Sequence, residues 1–473
     1  MKMICLLVGV FAVGFANAEA VFKAGAATSN ITPDIGGVVV GGFSPFPSTH
    51  IHDELNARCL VLDSGEKRIA IVVCDLLGAA RQMFDEAARL VKEETGLPRE
   101  ALLMSCTHTH SASSALTDNR YDTTTKDLTA YQKFVARRIA DGVRRAINNL
   151  EPAKIGWVTA GVPGQVFNRR WFMKEGTMPP NPMGGIDKVK MNPGHSANLV
   201  KPAGPTDPEV CLLAVQSTQG RWISVLGNYS LHYVGGVGNG HISADYFALF
   251  CGRVEQLLGA EHQEPPFVGL LSNGTSGNIN NIDYGKAPGG PRLAPYEKMR
   301  QVADEVAQAS VDALKNVQWQ EAPVLDARYA ELRVTQRRPD AGQIAWAEKT
   351  KAAGIKLGDK TGVLSQAYAD RFLKLKDAAP EIDLPLQAVR IGGVAITGIP
   401  CETFVETGLE LKERNPFKPS WTHSIAGGYF GYLPTPEHHE LGGYETWLGT
   451  NRVEKQGSVK ITTKLLEMLA EMK

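Results

Sequence analysis

The sequence predicts an α/β fold in which a mixed, largely parallel central sheet is flanked by helices, with the active site at strand ends. Three observations carry this prediction. Apolar runs of strand length alternate with amphipathic helical segments. At least one strand–helix–strand unit is present, and such units join parallel strands. Several apolar runs end in polar clusters, which is where proteins of this class usually place their sites.

The first residues have the features of an exported protein. Met1-Lys2 is followed by an apolar stretch over 3–15 and by Ala16-Asn17-Ala18. This is the pattern of a secretory signal peptide, residues 1–18, cleaved near Ala18. The stretch is shorter than the roughly 20 residues that span a bilayer, and no later segment is long and apolar enough. We therefore expect an exported protein, periplasmic or secreted, with no transmembrane segment.

Composition narrows the possible partners. The chain has 50 basic and 50 acidic residues and a formal net charge of zero. Without a basic stripe, nucleic acid is not an expected partner. Of seven cysteines, Cys5 lies in the predicted signal peptide and the other six are scattered without CxxC spacing. This pattern favours buried thiols over a disulfide framework, although it leaves one or two disulfides, and the oligomeric state, open.

The individual elements follow from local patterns. Hairpins are predicted where two strand-like runs flank a turn, and helices where apolar residues recur every three or four positions. In the first half we expect a short strand followed by a turn (22–33), a hairpin (58–62 and 68–74), a helix (82–94), a strand that starts at 102 and ends in the two histidines at 108 and 110, a helix (131–150) and a strand (154–160). In the second half we expect strands (210–216, 222–230 and 267–271), a helix (297–314), a peripheral helical segment (333–380), two strands within 386–398, a helix ending near 412 and a closing helix (459–472).

Residues 168–208 differ from the rest of the chain because they are rich in Pro, Gly, Asn and Met. A stretch of this length without periodicity is more often a functional segment than a linker. We therefore predict a lid or rim loop over 168–208.

The stretch from Leu102 to Ser111 is the most informative, because it predicts a buried strand whose last residues include His108 and His110. Strand side chains alternate with a period of two, so both imidazoles project to the same side. That geometry suits a metal ion, for which neutral imidazole is the commonest ligand. Two structural, hydrogen-bonded histidines at a strand end would explain the pattern equally well.

Three further polar clusters follow predicted strands: His232, Asn278 with Asn280, and Glu402. Side chains that converge from several strand ends are typical of an α/β active site. A zinc hydrolase needs about three protein ligands and one open position, which histidine and carboxylate supply. Taken alone, Glu402 is better explained as a favourable charge at the start of a helix.

Other catalytic patterns fail. The segment His439-Glu440-Leu441-Gly442-Gly443 lacks the second histidine of the H-E-x-x-H zinc motif. The segment Gly274-Thr275-Ser276-Gly277-Asn278 lacks the last glycine of a nucleophile elbow. A serine hydrolase is therefore disfavoured.

Taken together, the motifs resemble the catalytic domain of the neutral/alkaline (non-lysosomal) ceramidase family. They follow the family's order and spacing from about Gly25 to the C-terminus: Asn30-Ile31-Thr32-Pro33, His52-Asp53, Thr107-His108-Thr109-His110-Ser111, Asn168-Arg169, His232, Pro400-Cys401-Glu402, and Tyr432-Leu433-Pro434-Thr435-Pro436-Glu437 with Tyr444. The resemblance implies one ceramidase-like zinc hydrolase domain over 19–473, lacking the additional C-terminal β-domain of the family.

The resemblance implies zinc as the cofactor. Its ligands would be His108, His232, Glu402 and Tyr432. A hydroxide formed from zinc-bound water at neutral pH would then attack a carbonyl. Cys401 stands where the family usually has a glycine before the zinc-binding glutamate.

The implied catalytic residues are His110, Arg169, Tyr444 and Asn280. His110 and Arg169 would face the scissile amide and stabilise its oxyanion, and Tyr444 would lie in the same pocket. Asn280 stands at the position of a family serine, and a shifted alignment offers Ser276 instead. With Asn280 there, a serine nucleophile is absent and the zinc–water route remains.

These inferences predict an exported zinc-dependent hydrolase that cleaves a linear N-acyl amide bond in a ceramidase-like manner. The expected partner is a small-molecule or lipid N-acyl substrate. The alternatives are hydrolysis of a non-ceramide N-acyl or ester substrate, and a secreted lipid- or glycan-binding protein that has lost turnover. In a third alternative, a metal hydrolase of unrelated fold uses Asp75 or His241 to complete the site.

Overall fold

The computed structural model describes residues 21–39, 41, 46–113, 115–116, 127–287, 293–354 and 360–473. The predicted signal peptide lies outside these ranges. Within them, no helix combines the length and the apolar character needed to cross a membrane.

Helix ends follow ordinary capping rules. Within the described residues the α-helices are α1 (Arg81–Thr95), α2 (Ala130–Asn148), α3 (Asp245–Leu257), α4 (Glu297–Leu314), α5 (Ala341–Ala353), α6 (Lys360–Leu375), α7 (Val405–Arg414), α8 (Pro436–Leu441) and α9 (Gly457–Ala470). Helix α1 ends at Gly96, whose φ of +74° suits a residue without a side chain. Helix α2 begins with a capping box between Thr129 and Gln132.

The strands of the described residues range in length from two to 11 residues. They are β1 (Lys23–Asn30), β2 (Val38–Val39), β3 (Phe46–Pro47), β4 (His50–Ile51), β5 (Asn56–Asp63), β6 (Arg68–Cys74), β7 (Leu102–Cys106), β8 (Glu151–Gly161), β9 (Phe167–Asn168), β10 (Arg170–Met173), β11 (Val189–Met191), β12 (Leu199–Pro202), β13 (Glu209–Ser217), β14 (Trp222–Tyr229), β15 (His241–Ile242), β16 (Val268–Asn273), β17 (Ile279–Asn280), β18 (Leu325–Thr335), β19 (Glu381–Ile391), β20 (Val394–Ile399), β21 (Glu402–Thr403), β22 (Ser420–Ser424) and β23 (Tyr432–Leu433).

The largest sheet has eight strands in the order β16-β14-β13-β8-β1-β5-β6-β7. The β14–β16 and β6–β7 pairings are parallel, and the other five are antiparallel. The prediction of a mixed sheet flanked by helices is confirmed, but its description as largely parallel is wrong. The two parallel pairs arise from strand–helix–strand units around α1 and α3, whereas hairpins such as β5–β6 and β13–β14 supply antiparallel pairs.

Side-chain alternation divides the molecule into layers. In β5, Ala57, Cys59 and Val61 face α1 and α2. Leu60 and Leu62, at the alternate positions of the same strand, face the opposite side. Helices α3 and α4 cover the other half of the helical face. The opposite face packs on a second sheet, β18-β19-β20-β22, whose outer side is covered by α7 and α9. The layers are therefore α, β, β and α.

The six cysteines among the described residues are buried and free, as the sequence pattern favoured.

Two segments lie outside these layers. The predicted rim over 168–208 contains a three-stranded antiparallel sheet, β11-β10-β12, so it is more ordered than its composition suggested. The Trp447 indole N–H donates to Asp187 of this rim over 2.9 Å. The predicted helical segment 333–380 contains α5 and α6, and their apolar residues Tyr368 and Phe372 pack in one cluster with Leu448.

Candidate metal centre

Three histidines meet where strands of the main sheet end. Strand β7 ends at Cys106, so the prediction that His108 and His110 are the last residues of this strand is wrong. His108 lies two residues after β7 and His232 three residues after β14. Their ligand nitrogens and that of His110 lie within 4.8 Å of one another, which is close enough for all three to bind one metal ion. His108 has a φ of +68°, which a residue with a side chain rarely adopts. Such backbone strain persists where the surroundings fix it and is common at functional sites.

Each of these histidines forms a hydrogen bond from its Nδ1 atom to a backbone carbonyl oxygen. The pairs are His108 with Leu77 (2.6 Å), His110 with Gly41 (2.7 Å) and His232 with Ser276 (3.0 Å). Because a carbonyl oxygen only accepts, each Nδ1 carries the hydrogen, and in the neutral imidazole Nε2 then carries a lone pair. Metal-binding histidines are oriented in this way, through the nitrogen that does not bind the metal.

The Nε2 atoms face one another and a carboxylate. Nε2 of His108 is 3.1 Å from Nε2 of His110 and 3.2 Å from Oε2 of Glu402. Nε2 of His232 is 3.7 Å from the same oxygen. Nε2 of His232 and Oε2 of Glu402 are buried and have no hydrogen-bond partner among the described residues. Buried acceptors that face each other are costly unless a proton or a cation lies among them. The nitrogen and oxygen donors therefore fit a divalent metal such as zinc.

Burial keeps the imidazoles of His110 and His232 in the neutral form that binds metals. Desolvation, together with the neighbouring His108, lowers the pKa of His110 to about 3. Desolvation and the charge of Arg169 lower the pKa of His232 well below its ordinary value. Protons therefore do not compete for the Nε2 atoms of His110 and His232 near neutral pH.

Short paired strands carry Glu402 and Tyr432. Strands β21 and β23 are parallel, and Glu402 lies opposite Tyr432. The Tyr429 hydroxyl donates to Oε1 of Glu402 over 2.6 Å, which orients the carboxylate so that Oε2 lies near the histidines. The loop before β17 approaches this strand closely, because a Cβ atom on Gly277 would lie 2.5 Å from the Glu402 carbonyl oxygen.

A buried carboxylate links two arginines to the site. Oε1 of Glu445 accepts from Nε of Arg169 over 3.1 Å, and Oε2 accepts from Nη1 of Arg170 over 2.7 Å. Nη2 of Arg169 donates to the Tyr432 hydroxyl over 3.0 Å and to the Gly277 carbonyl over 2.8 Å. Burial opposes the charge on Arg169, but Tyr432 and Glu445 raise its pKa above the ordinary value. A permanent cation therefore lies beside Tyr432.

The other residues expected in the pocket lie around this group. The ring of His110 stacks on Tyr233 with centroids 3.7 Å apart and an interplanar angle of 13°. The ring of Tyr444 meets Tyr432 edge to face, with centroids 5.7 Å apart. His110, Arg169 and Tyr444 are thus each in direct contact with His108 or Tyr432.

The two candidates for the family serine lie in different networks. Nδ2 of Asn280 donates to Asn192 over 2.9 Å and to the Tyr284 hydroxyl over 3.2 Å. The Ser276 hydroxyl donates to Asn273 over 2.7 Å, and its oxygen lies 3.3 Å from Nδ1 of His232. Ser276 is therefore the candidate that touches the histidine cluster, whereas Asn280 is bound in a separate polar group.

The sequence patterns did not indicate three residues that contact this site: Glu445, Tyr429 and Tyr233. Tyr233 and Glu445 directly follow His232 and Tyr444 in the chain, and this adjacency was the available signal. Nothing in the sequence around Tyr429 indicates which carboxylate its hydroxyl meets.

Asp75 and His241, the residues of the third alternative, contact other groups. Asp75 forms an ion pair with Arg58 at 3.3 Å. His241 forms a short hydrogen bond with the Tyr296 hydroxyl. Neither belongs to the histidine cluster.

Comparison with known proteins bears on the family and the fold. The model of the family described as neutral/alkaline non-lysosomal ceramidase, N-terminal, matches residues 22–285, more than half of the chain. The crystal structure of neutral ceramidase from Pseudomonas aeruginosa is similar with a TM-score of 0.72 at 16% identity, covering 96% of this chain and 74% of that one. A ceramidase complexed with C2 gives a TM-score of 0.71 at 16% identity, covering 96% and 75%. At this identity the similarity is one of fold. A comparison with curated proteins finds no match.

Proposed function

Because the chain belongs to the neutral/alkaline non-lysosomal ceramidase family, we propose that it is an exported, zinc-dependent hydrolase that cleaves a linear N-acyl amide bond. A ceramidase-type hydrolase is what the family and the fold support. The finer parts of the proposal are zinc, export and the roles of individual residues.

One observation carries the proposal. The Nε2 lone pairs of His108 and His232 converge on Oε2 of Glu402, and the His232 and Glu402 atoms have no partner among the described residues. Tyr432, beside Glu402 on the paired strand, would complete a set of four ligands. When bound, zinc supplies a Lewis acid that polarises a carbonyl and lowers the pKa of water toward about 7.

The chain's own residues would handle the charges of the reaction. Arg169, held beside Tyr432, would donate hydrogen bonds to the oxyanion that develops on the amide carbonyl. Nε2 of His110 would accept a proton from the attacking water and then pass it to the leaving nitrogen, since Nδ1 is hydrogen-bonded to the Gly41 carbonyl. Tyr444 would bound the same pocket through its contact with Tyr432. Asn280, an amide, would not act as a nucleophile.

The test is metal content measured by mass spectrometry on the purified protein, with a panel of N-acyl amides assayed on the same samples. We expect about one zinc per chain. The His232→Ala variant should lose both zinc and activity. His262→Asn is the matched control, because His262 is exposed with a φ of +62° that asparagine tolerates.

The outcomes separate the parts of the proposal. A protein that stays free of zinc when zinc is supplied would refute the metal centre, and the alternative of a binding protein without turnover would replace it. Zinc retained by His232→Ala would refute the ligand assignment. Zinc without hydrolysis of any amide, but with hydrolysis of the matching esters, would change the substrate class and leave the centre intact.

A further inference from the structure

Glu445 is a buried carboxylate that has no role of its own in the proposed reaction. Its side chain has no solvent exposure. Each of its oxygens contacts a different guanidinium, Arg169 on one side and Arg170 on the other. A buried charge is retained at a cost unless it is paired and hydrogen-bonded, and this carboxylate satisfies that condition with two partners rather than one.

Arg170 fixes the far side of this carboxylate. Its side chain is fully buried, and its Nη2 also donates to the carbonyl of Gly442 over 2.6 Å. Its guanidinium lies over the Phe404 ring, 5.3 Å from the centroid. Arg170 neutralises Glu445 and holds it in one orientation, so the charge of Arg169 remains available to the site.

The contacts of Arg169 leave one nitrogen unused. Nε donates a hydrogen bond to Glu445, and Nη2 donates to the Gly277 carbonyl and to the Tyr432 hydroxyl. Nη1 has no hydrogen-bond partner within the described part of the chain. Because the guanidinium is planar, fixing Nε and Nη2 also fixes the direction of Nη1.

We propose that Glu445, anchored by Arg170, is a positioning residue that orients Arg169 toward Tyr432 and presents its free Nη1 to the substrate. This inference rests on the proposed function, in which Arg169 stabilises the oxyanion. Among the described residues the Glu445 carboxylate is hydrogen-bonded by Arg169 and Arg170 and by none of the four proposed metal ligands. It acts through Arg169 alone.

The test compares Glu445→Gln with Glu440→Gln. The amide keeps the shape of the side chain but offers one acceptor oxygen where the two guanidiniums need two. Glu440 lies five residues away, and its side chain is 71% exposed. For Glu445→Gln we expect kcat to fall about 100-fold, the loss typical of one oxyanion donor. KM and zinc content should stay near the wild-type values, and Glu440→Gln should match wild type in all three.

A double-mutant cycle separates positioning from a general structural effect. If Glu445 acts through Arg169, then Glu445→Gln should change kcat by less than about twofold in an Arg169→Lys background. A purely structural role would lower the melting temperature in both backgrounds and leave the kcat of folded, zinc-loaded protein unchanged. Independent, additive losses of kcat would overturn the inference.

A crystal structure of Glu445→Gln makes the outcome independent of turnover. We expect the Arg169 guanidinium to leave the Tyr432 hydroxyl, and an unmoved guanidinium would overturn the inference. If wild type hydrolyses no amide or ester, the proposed function fails, but this structure still decides whether Glu445 orients Arg169.

If Glu445→Gln does not fold, Arg170→Gln takes its place. It should lower kcat with zinc retained, and an unchanged kcat would reject the anchor.

Discussion

At the scale of single residues, one hydroxyl orients the carboxylate of the candidate metal centre. The Tyr429 hydroxyl holds Oε1 of Glu402 at 2.6 Å, and hydrogen bonds of this kind tune metal affinity. Replacing Tyr429 by Phe should raise the zinc dissociation constant about 10- to 100-fold. A competition titration with a chelator measures this constant. Tyr131→Phe is the control, because its hydroxyl bonds to the Ile31 carbonyl over 2.8 Å outside the centre. Equal effects of both changes would contradict the prediction.

A second residue, His423, should make stability depend on pH. It is fully buried, its Nδ1 lies 3.1 Å from the Ser105 hydroxyl, and burial lowers its pKa to about 3. In the unfolded chain the pKa of histidine is about 6.5. Between these values the unfolded state binds a proton that the folded state does not, so stability falls as pH decreases through this window.

Replacing His423 by Gln removes this dependence. From about pH 7 to about pH 5, wild type should lose about 2 kcal/mol more of its free energy of unfolding than the variant. Urea denaturation at the two pH values measures the difference. Parallel losses in the two proteins would show that another group is responsible.

At the scale of elements, helices with a strong apolar period could be predicted from the sequence. The side-chain contacts between different elements could not. Helix α4 was predicted at 297–314 and is found at Glu297–Leu314, because its apolar positions recur with helical spacing. Strand β18 was missed, since Asp326, Arg328 and Glu331 make it polar at an exposed edge. The convergence of His108 and Glu402 followed from motifs, but the contacts of Glu445 depend on tertiary packing that local sequence does not record.

Close approach of two elements makes Gly277 hard to replace. A Cβ atom there would lie 2.5 Å from the Glu402 carbonyl oxygen and 2.9 Å from that of Thr403, so Gly277→Ala should push the β17 loop away from β21. We expect zinc binding to fall at least about tenfold and stability by about 1–3 kcal/mol. Zinc titration and urea denaturation check both effects. Gly252→Ala is the control, because its position within α3 is open and alanine favours helix by about 1 kcal/mol.

At the scale of the whole molecule, zinc should join parts that fold on different sheets. His108 and His232 follow strands of the eight-stranded sheet, whereas Glu402 follows β20 of the four-stranded sheet. A ligand that binds only the assembled state stabilises it by mass action, by about 4 kcal/mol at a thousandfold excess over the dissociation constant. Chelation should therefore lower the melting temperature of wild type in calorimetry. It should leave His232→Ala unchanged, and equal shifts in both proteins would contradict this prediction.

The long chain separation between these ligands also has a consequence for biosynthesis. A polypeptide that has been synthesised only as far as α6 contains His108 and His232 but neither Glu402 nor Tyr432. Such an intermediate has part of the donor set and none of its negative charge, so it should hold the ion weakly. Tight metal uptake then becomes possible only after the last strands have docked. The metal would thereby distinguish a finished molecule from an unfinished one in the compartment where it matures.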